Sequence, residues 1–183
     1  MTNHQWYIAR SAMQQELKAE RWLAKMGVET FCPLVQHINK KGRPESRPLF
    51  QNFVFVYTWA SSIPKLIKRP LVISMVYWMS EPAVVSDEEI GAIRMATNGY
   101  TQIDLEKTAV SPGSDLLIIP ESGLSTEIEN PFSYSGLNIT LPSLGYRMSA
   151  RQLTGAMSNT DNSTPENHWL RRNLSSLGGF RLF

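Results

Sequence analysis

The sequence predicts an α+β protein in two parts: an N-terminal unit that mixes strands with helices, and a smaller C-terminal β-barrel. Three observations carry this expectation. Phe53-Val54-Phe55-Val56-Tyr57 is an almost continuous apolar and β-branched run, the pattern of a central strand buried on both faces. Ser86-Asp87-Glu88-Glu89 forms a capping box ahead of Ile90 and Ile93, so a helix opens there with an apolar side. From Ala109 onward, Pro112, Gly113, Pro120, Gly123, Pro131, Gly136, Pro142 and Gly145 punctuate short apolar runs at 116–119 and 137–141. Short strands separated by turn signals describe a small barrel.

Taken in order, residues 6–10 read as a strand, and Ser11 is a plausible N-cap for a helix over 13–26 that Gly27 ends. Ala19, Trp22, Leu23 and Met26 fall on one stripe of that helix, which leaves Lys18, Arg21 and Lys25 toward solvent. Residues 28–39 read as a strand interrupted at Pro33, and 40–47, with Gly42 and Pro44, as a hairpin-type loop. The central strand follows over 49–57. Ser61 or Ser62 caps a short helix through Ile63, Leu66 and Ile67 that must stop before Pro70, and 71–79 returns as a strand. The helix opened at Ser86 stops at Asn98-Gly99. The expected division is therefore a first domain over 1–98, a linker over 99–108, a barrel over 109–153 and a flexible tail over 154–183 with a short helix near 169–177.

Composition narrows the function classes. The chain has 183 residues, 42% of them hydrophobic, which supports a real core, and no window approaches the length of a membrane span. His4 and Gln5 stand where a signal peptide would need its charged and apolar regions. Cys32 is the single cysteine, so neither an internal disulfide nor a usual zinc spacing is available, and a reducing cytoplasm is the natural compartment. The formal net charge of +2 conceals an asymmetry: residues 1–75 carry +7, 76–130 carry −8 and 131–183 carry +3. The first segment suits a phosphate backbone.

An enzyme needs a nucleophile, a base or a metal within reach of a pocket. His4, His37 and His168 are scattered, and none is joined to Cys32 or to a carboxylate by a recognised catalytic spacing. Neither a phosphate-binding G-x-x-x-x-G-K-[ST] loop nor a dinucleotide G-x-G-x-x-G is present. The expectation is a binding protein with no catalytic residue, no metal and no cofactor.

Several blocks in consistent order resemble a known family. They are Trp6-Tyr7-Ile8, a helix with Glu16, Ala19 and Leu23, Gly27-Val28-Glu29 with Pro33, Pro48 through Val56 (Pro-Leu-Phe-Gln-Asn-Phe-Val-Phe-Val), and Pro82-Ala83-Val84-Val85 before the capped helix. Together they resemble the NusG N-terminal domain, with the flavour of its specialised paralogues RfaH and the UpxY-type regulators of capsular polysaccharide operons. The resemblance implies a four-stranded antiparallel sheet with flanking helices, followed by a KOW-type β-barrel. It also implies a transcription elongation and antitermination factor that binds the clamp helices of the largest catalytic RNA polymerase subunit and suppresses pausing or termination. Further implied partners are non-template DNA in the transcription bubble and, through the second domain, ribosomal protein S10 or Rho, with no membrane and a monomeric chain.

Carried over residue by residue, the polymerase-binding patch maps onto Tyr7, Phe50, Phe53, Phe55 and Trp78. Aromatic residues in a central strand belong to the core more often than not, and alternation lets only one face of 53–56 serve a partner. The nucleic-acid candidates are Arg10, Lys18, Arg21, Lys25, Lys40, Lys41 and Arg43, each of which is equally well read as solvated surface. Ser62-Ile63-Pro64 stands where RfaH carries a His-Thr-Thr contact, and Ser125-Thr126-Glu127 where the barrel motif expects a second glycine. The reading from a different class is an RNA- or ribosome-binding module that acts without polymerase.

Overall fold

The computed structural model describes residues 4–38, 40–68, 70–109, 114–125 and 132–156. Strand β1 (Gln5–Ser11) leads into helix α1 (Glu16–Lys25), followed by β2 (Glu29–Phe31), β3 (Leu34–Ile38), β4 (Pro44–Pro48) and β5 (Phe53–Thr58). A 3-10 turn over Ala60–Ser62 runs into α2 (Ile63–Ile67), and β6 (Val72–Met75), β7 (Tyr77–Trp78), β8 (Glu81–Pro82) and β9 (Val84–Val85) precede α3 (Asp87–Gly99). The C-terminal half contributes β10 (Gln102–Lys107), β11 (Leu117–Ser125), β12 (Phe132–Leu141) and β13 (Tyr146–Ala156).

The first sheet is antiparallel in the order β2-β5-β1-β6, with β9 pairing the start of β1 beside β6. β1 and β5 are thus the interior strands, as their apolar runs require. Strand alternation sorts their side chains onto two faces. Tyr7, Ala9, Val54 and Val56 meet Ala19 and Leu23 of α1 and Ile63 and Leu66 of α2. Trp6, Ile8 and Phe55 meet Ile90, Ala92, Ile93 and Ala96 of α3 on the other side. The same core continues into Leu137, Ile139 and Leu141 of β12 and Met148 and Ala150 of β13, so the second sheet shares its hydrophobic interior with the first.

The second sheet is antiparallel in the order β10-β13-β12-β11. Gly136 permits its close packing, because a Cβ there would come within 2.9 Å of the Ala150 carbonyl oxygen. Among the described residues β10 and β11 lie at the two edges of this sheet.

Several local expectations need correction. Helix α1 starts at Glu16 rather than near Met13; Ser11 ends β1 and its hydroxyl donates to the Ala12 carbonyl, while Gln14 (φ 59°) makes the turn into the helix. The expected strand 71–79 is two strands, because the Val76 N–H bonds to the Ile8 carbonyl and Tyr77 then leaves to pair with Pro82. Residues 44–47, expected in a loop, pair with 35–38 as β4. Residues 102–107, expected within a linker, form β10 and pair with β13 from Gln102↔Arg151 to Lys107↔Tyr146. A polar alternation such as Gln-Ile-Asp-Leu-Glu-Lys is a half-buried edge strand once a partner lies beside it. The expected tail helix near 169–177 lies outside the described residues.

Candidate functional site

The surface candidates begin with the β7–β8 hairpin. Its two-residue turn is Met79-Ser80, with φ of 47° and 72°. Two consecutive left-handed residues define the tight hairpin turn whose twist matches its strands, a conformation for which glycine or asparagine is the ordinary choice. The turn holds Tyr77, Trp78 and Met79 out in solvent, with Trp78 57% and Met79 84% exposed. Three large apolar side chains are thus exposed together on one hairpin. Trp59 and Ile73 are exposed as well.

The other members of the expected aromatic patch lie differently. Tyr7 is 3% exposed beneath α1 and α2, where burial raises its hydroxyl pKa. The sheet therefore separates Tyr7 from Phe50, Phe53 and Phe55, which belong to the opposite core. Phe55 is fully buried and packs edge-on against Phe50, with ring centroids 5.6 Å apart. Phe50 in turn meets Tyr146 of β13 at 5.7 Å, so the second sheet covers it. Phe53 is half-buried at the margin of this core. Of the five, Trp78 is the one presented to solvent.

The basic candidates are uniformly accessible. Arg10 is exposed on β1, Lys18, Arg21 and Lys25 on the outer side of α1, and Lys40, Lys41 and Arg43 on the loop between β3 and β4. The Arg21 Nε–H donates to the Leu17 carbonyl at 3.2 Å, which lays its side chain along the helix. Arg94 is placed instead over the rings of Phe31 (4.9 Å) and Trp6 (5.4 Å), with Glu29 at 3.7 Å. That guanidinium is part of the packing between α3 and the sheet.

Cys32 is buried, and burial assisted by the nearby Glu20 and Glu16 carboxylates pushes its thiol up to about 12. It is inert packing material rather than a nucleophile. Among the described residues no group of His, Cys, Asp and Glu is arranged to hold a metal ion, and no helix is long and apolar enough to cross a membrane. Tyr77 and Met79 are not singled out by sequence because the run 71–79 reads as one continuous strand. The signal was the Ser80-Glu81-Pro82 sequence, a turn composition that closes the run back on itself.

Fold and surface together define an α+β module with an aromatic hairpin and a basic flank. Residues 4–94 match the family model described as "Transcription termination factor nusG", so a NusG family domain occupies that part of the chain. A solved structure titled "Domain interaction in Thermotoga maritima NusG" is similar at 17% sequence identity, covering 83% of this chain and 93% of that chain with a TM-score of 0.42. Comparison with the curated proteins gave no match.

Proposed function

We propose that this chain is a transcription elongation and antitermination factor that holds RNA polymerase through an aromatic contact and follows nearby nucleic acid with its basic flank. The observation that carries the reading is the match of residues 4–94 to the NusG family. In its finer form the factor is a specialised paralogue of the RfaH and UpxY type, acting at particular operons such as those for capsular polysaccharide. Its polymerase contact is the clamp-helix pair of the largest catalytic subunit, and its nucleic-acid contact is non-template DNA in the bubble. The C-terminal sheet fills the place of the KOW-type domain, with ribosomal protein S10 or Rho as its partner class. The chain acts in the cytoplasm as a monomer, without a cofactor and without catalysis of its own.

The exposed Trp78 hairpin supports this reading, since a buried aromatic anchor is the usual centre of a protein interface. So does the +7 balance of residues 1–75, because exposed cations release counterions when they meet phosphates. In this reading Phe50 joins the contact only after Tyr146 of the second sheet moves away from it, and Phe55 supports the contact from the core beneath Phe50.

Co-purification of the full chain with RNA polymerase core enzyme tests the proposal. Retention that survives nuclease treatment is the expected result. Absence of polymerase together with retention of ribosomes or RNA would favour the module that acts without polymerase. Charge reversal at Lys18, Lys25 and Lys41 should flatten the salt dependence of binding to a single strand, each lost phosphate contact reducing the slope by about one.

A further inference from the structure

We propose that the ribbon formed by β3 and β4 holds double-stranded DNA by entering its major groove. The inference rests on the nucleic-acid reading above and assigns one part of the basic flank a ligand of its own. The two strands pair as Gln36↔Ser46, His37↔Glu45 and Ile38↔Pro44, and every described residue from Gln36 to Arg47 is exposed. Alternate residues of a strand point to opposite faces, so the exposure of all three pairs means that neither face of the ribbon is covered. A two-stranded ribbon that buries neither face adds little to stability. Its projection calls for a role outside the core.

Charge indicates the kind of partner. Lys40, Lys41, Arg43 and Arg47 stand on this ribbon against a single carboxylate, Glu45. Gly42, at φ 71°, turns the loop between the two strands, so Lys40, Lys41 and Arg43 sit together at its tip. Strand β10, which bears Asp104 and Glu106, packs beside β3 and repels a polyanion on that side. The tip and the β4 side remain as the surface for a phosphate backbone.

Composition and shape decide between kinds of nucleic acid. Single-strand sites stack bases on aromatic rings, and residues 36–47 contain no Phe, Tyr or Trp. A duplex keeps its bases stacked on one another and asks only for charge and fit. The major groove of B-form DNA, about 12 Å wide and about 8.5 Å deep, admits a two-stranded ribbon. At about 3.4 Å per residue the exposed pairs rise about 7 Å, and the loop beyond Ile38 and Pro44 carries the tip to the groove's floor. The deep, narrow major groove of an RNA duplex does not admit such an element.

The test is fluorescence anisotropy of the full chain with a DNA duplex of about 20 base pairs, its separated strands and the RNA duplex of the same sequence at matched salt. The DNA duplex should bind at least about fivefold more tightly than either alternative. Lys40→Gln, Lys41→Gln and Arg43→Gln together should abolish that preference and reduce the salt slope by about three. Lys18→Gln with Lys25→Gln on α1 should leave the preference standing; circular dichroism checks that both variants fold. Methyl green, which occupies the major groove, should displace the chain from the duplex, and netropsin, which occupies the minor groove, should not. A single strand bound as tightly as the duplex, a preference that survives the triple substitution, or displacement by netropsin alone would overturn the ribbon contact while leaving the electrostatic reading standing. An RNA duplex bound as tightly as the DNA duplex would overturn it in favour of a contact that enters no groove. Binding to none of the three at any salt would remove the nucleic-acid reading and the ribbon contact together.

Discussion

Glu89 ties the two sheets together: its Oε1 accepts the N–H of Ser143 at 2.9 Å while its Oε2 accepts the N–H of Ser86 at 3.2 Å.. The Ser86 hydroxyl completes the exchange by accepting the Glu89 N–H at 3.1 Å. A carboxylate that caps a helix thus also holds the turn between β12 and β13. Glu89→Ala should cost about 1–2 kcal/mol from the lost cap, with a further loss from the Ser143 amide. Hydrogen exchange should accelerate at residues 142–145 more than in β1 or β5. Uniform acceleration over the whole chain would mean that Glu89 serves global stability alone.

Trp78 offers a cleaner probe of the partner contact, because its exposure separates binding from folding. Trp78→Ala should leave the melting temperature nearly unchanged, as an exposed substitution shifts stability within about 0.5 kcal/mol. Polymerase binding should weaken at least tenfold, about 1.4 kcal/mol or more. Unchanged affinity would remove Trp78 from the interface. Phe55→Ala should behave oppositely and destabilise the protein by about 3–5 kcal/mol, since its side chain is fully buried.

The turn that carries Trp78 is conformationally expensive. Met79→Asn combined with Ser80→Gly supplies residues suited to its positive φ values and should stabilise the chain by about 1–2 kcal/mol in thermal or urea unfolding. Because Met79 is itself part of the exposed patch, the same variant should bind polymerase less well. A gain in stability and a loss of binding together would show that strain is retained here for function.

Cys32 yields a pH prediction with a definite sign. Its folded-state pKa is raised from 9.0 to about 12, mainly by burial. A raised pKa means that the folded state favours the neutral thiol, so this contribution is fully present below pH 9 and is lost as the pH rises toward 12. Urea titrations should show falling stability across that window, and Cys32→Ala should flatten the fall. At pH 8 the native thiol should resist alkylation and react only on unfolding.

Much of the first half was legible in the sequence because its signals are local. Gly27 at φ 79° beyond α1 and the Ser86–Glu89 capping box each appear where side-chain chemistry placed them, whereas the strand expected over 49–57 begins only at Phe53, because Asn52 (φ 65°) turns the chain just before it. Pro33 does separate β2 from β3. The departures involve information held elsewhere in the chain. Nothing in residues 102–107 announces a strand until β13 is beside it. The aromatic residues show the same limit: alternation divided Phe53 and Phe55 from Val54 and Val56, but periodicity carries no sign of which sheet or helix covers each face. Phe50 is enclosed partly by Tyr146, almost a hundred positions later. The exposure of the seven basic side chains follows more simply, since charged side chains seldom find burial.

The pairing of β10 with β13 also sets an order of events during synthesis. All strands of the first sheet and α3 precede β10, so that sheet can form while the chain is still growing. β10 then emerges without its partner, and about fifty residues must follow before β13 is complete. At about 5–20 residues per second, the Gln102–Lys107 edge stays open for several seconds. Asp104, Glu106 and Lys107 put charge along that waiting strand, a composition that disfavours pairing with other nascent chains.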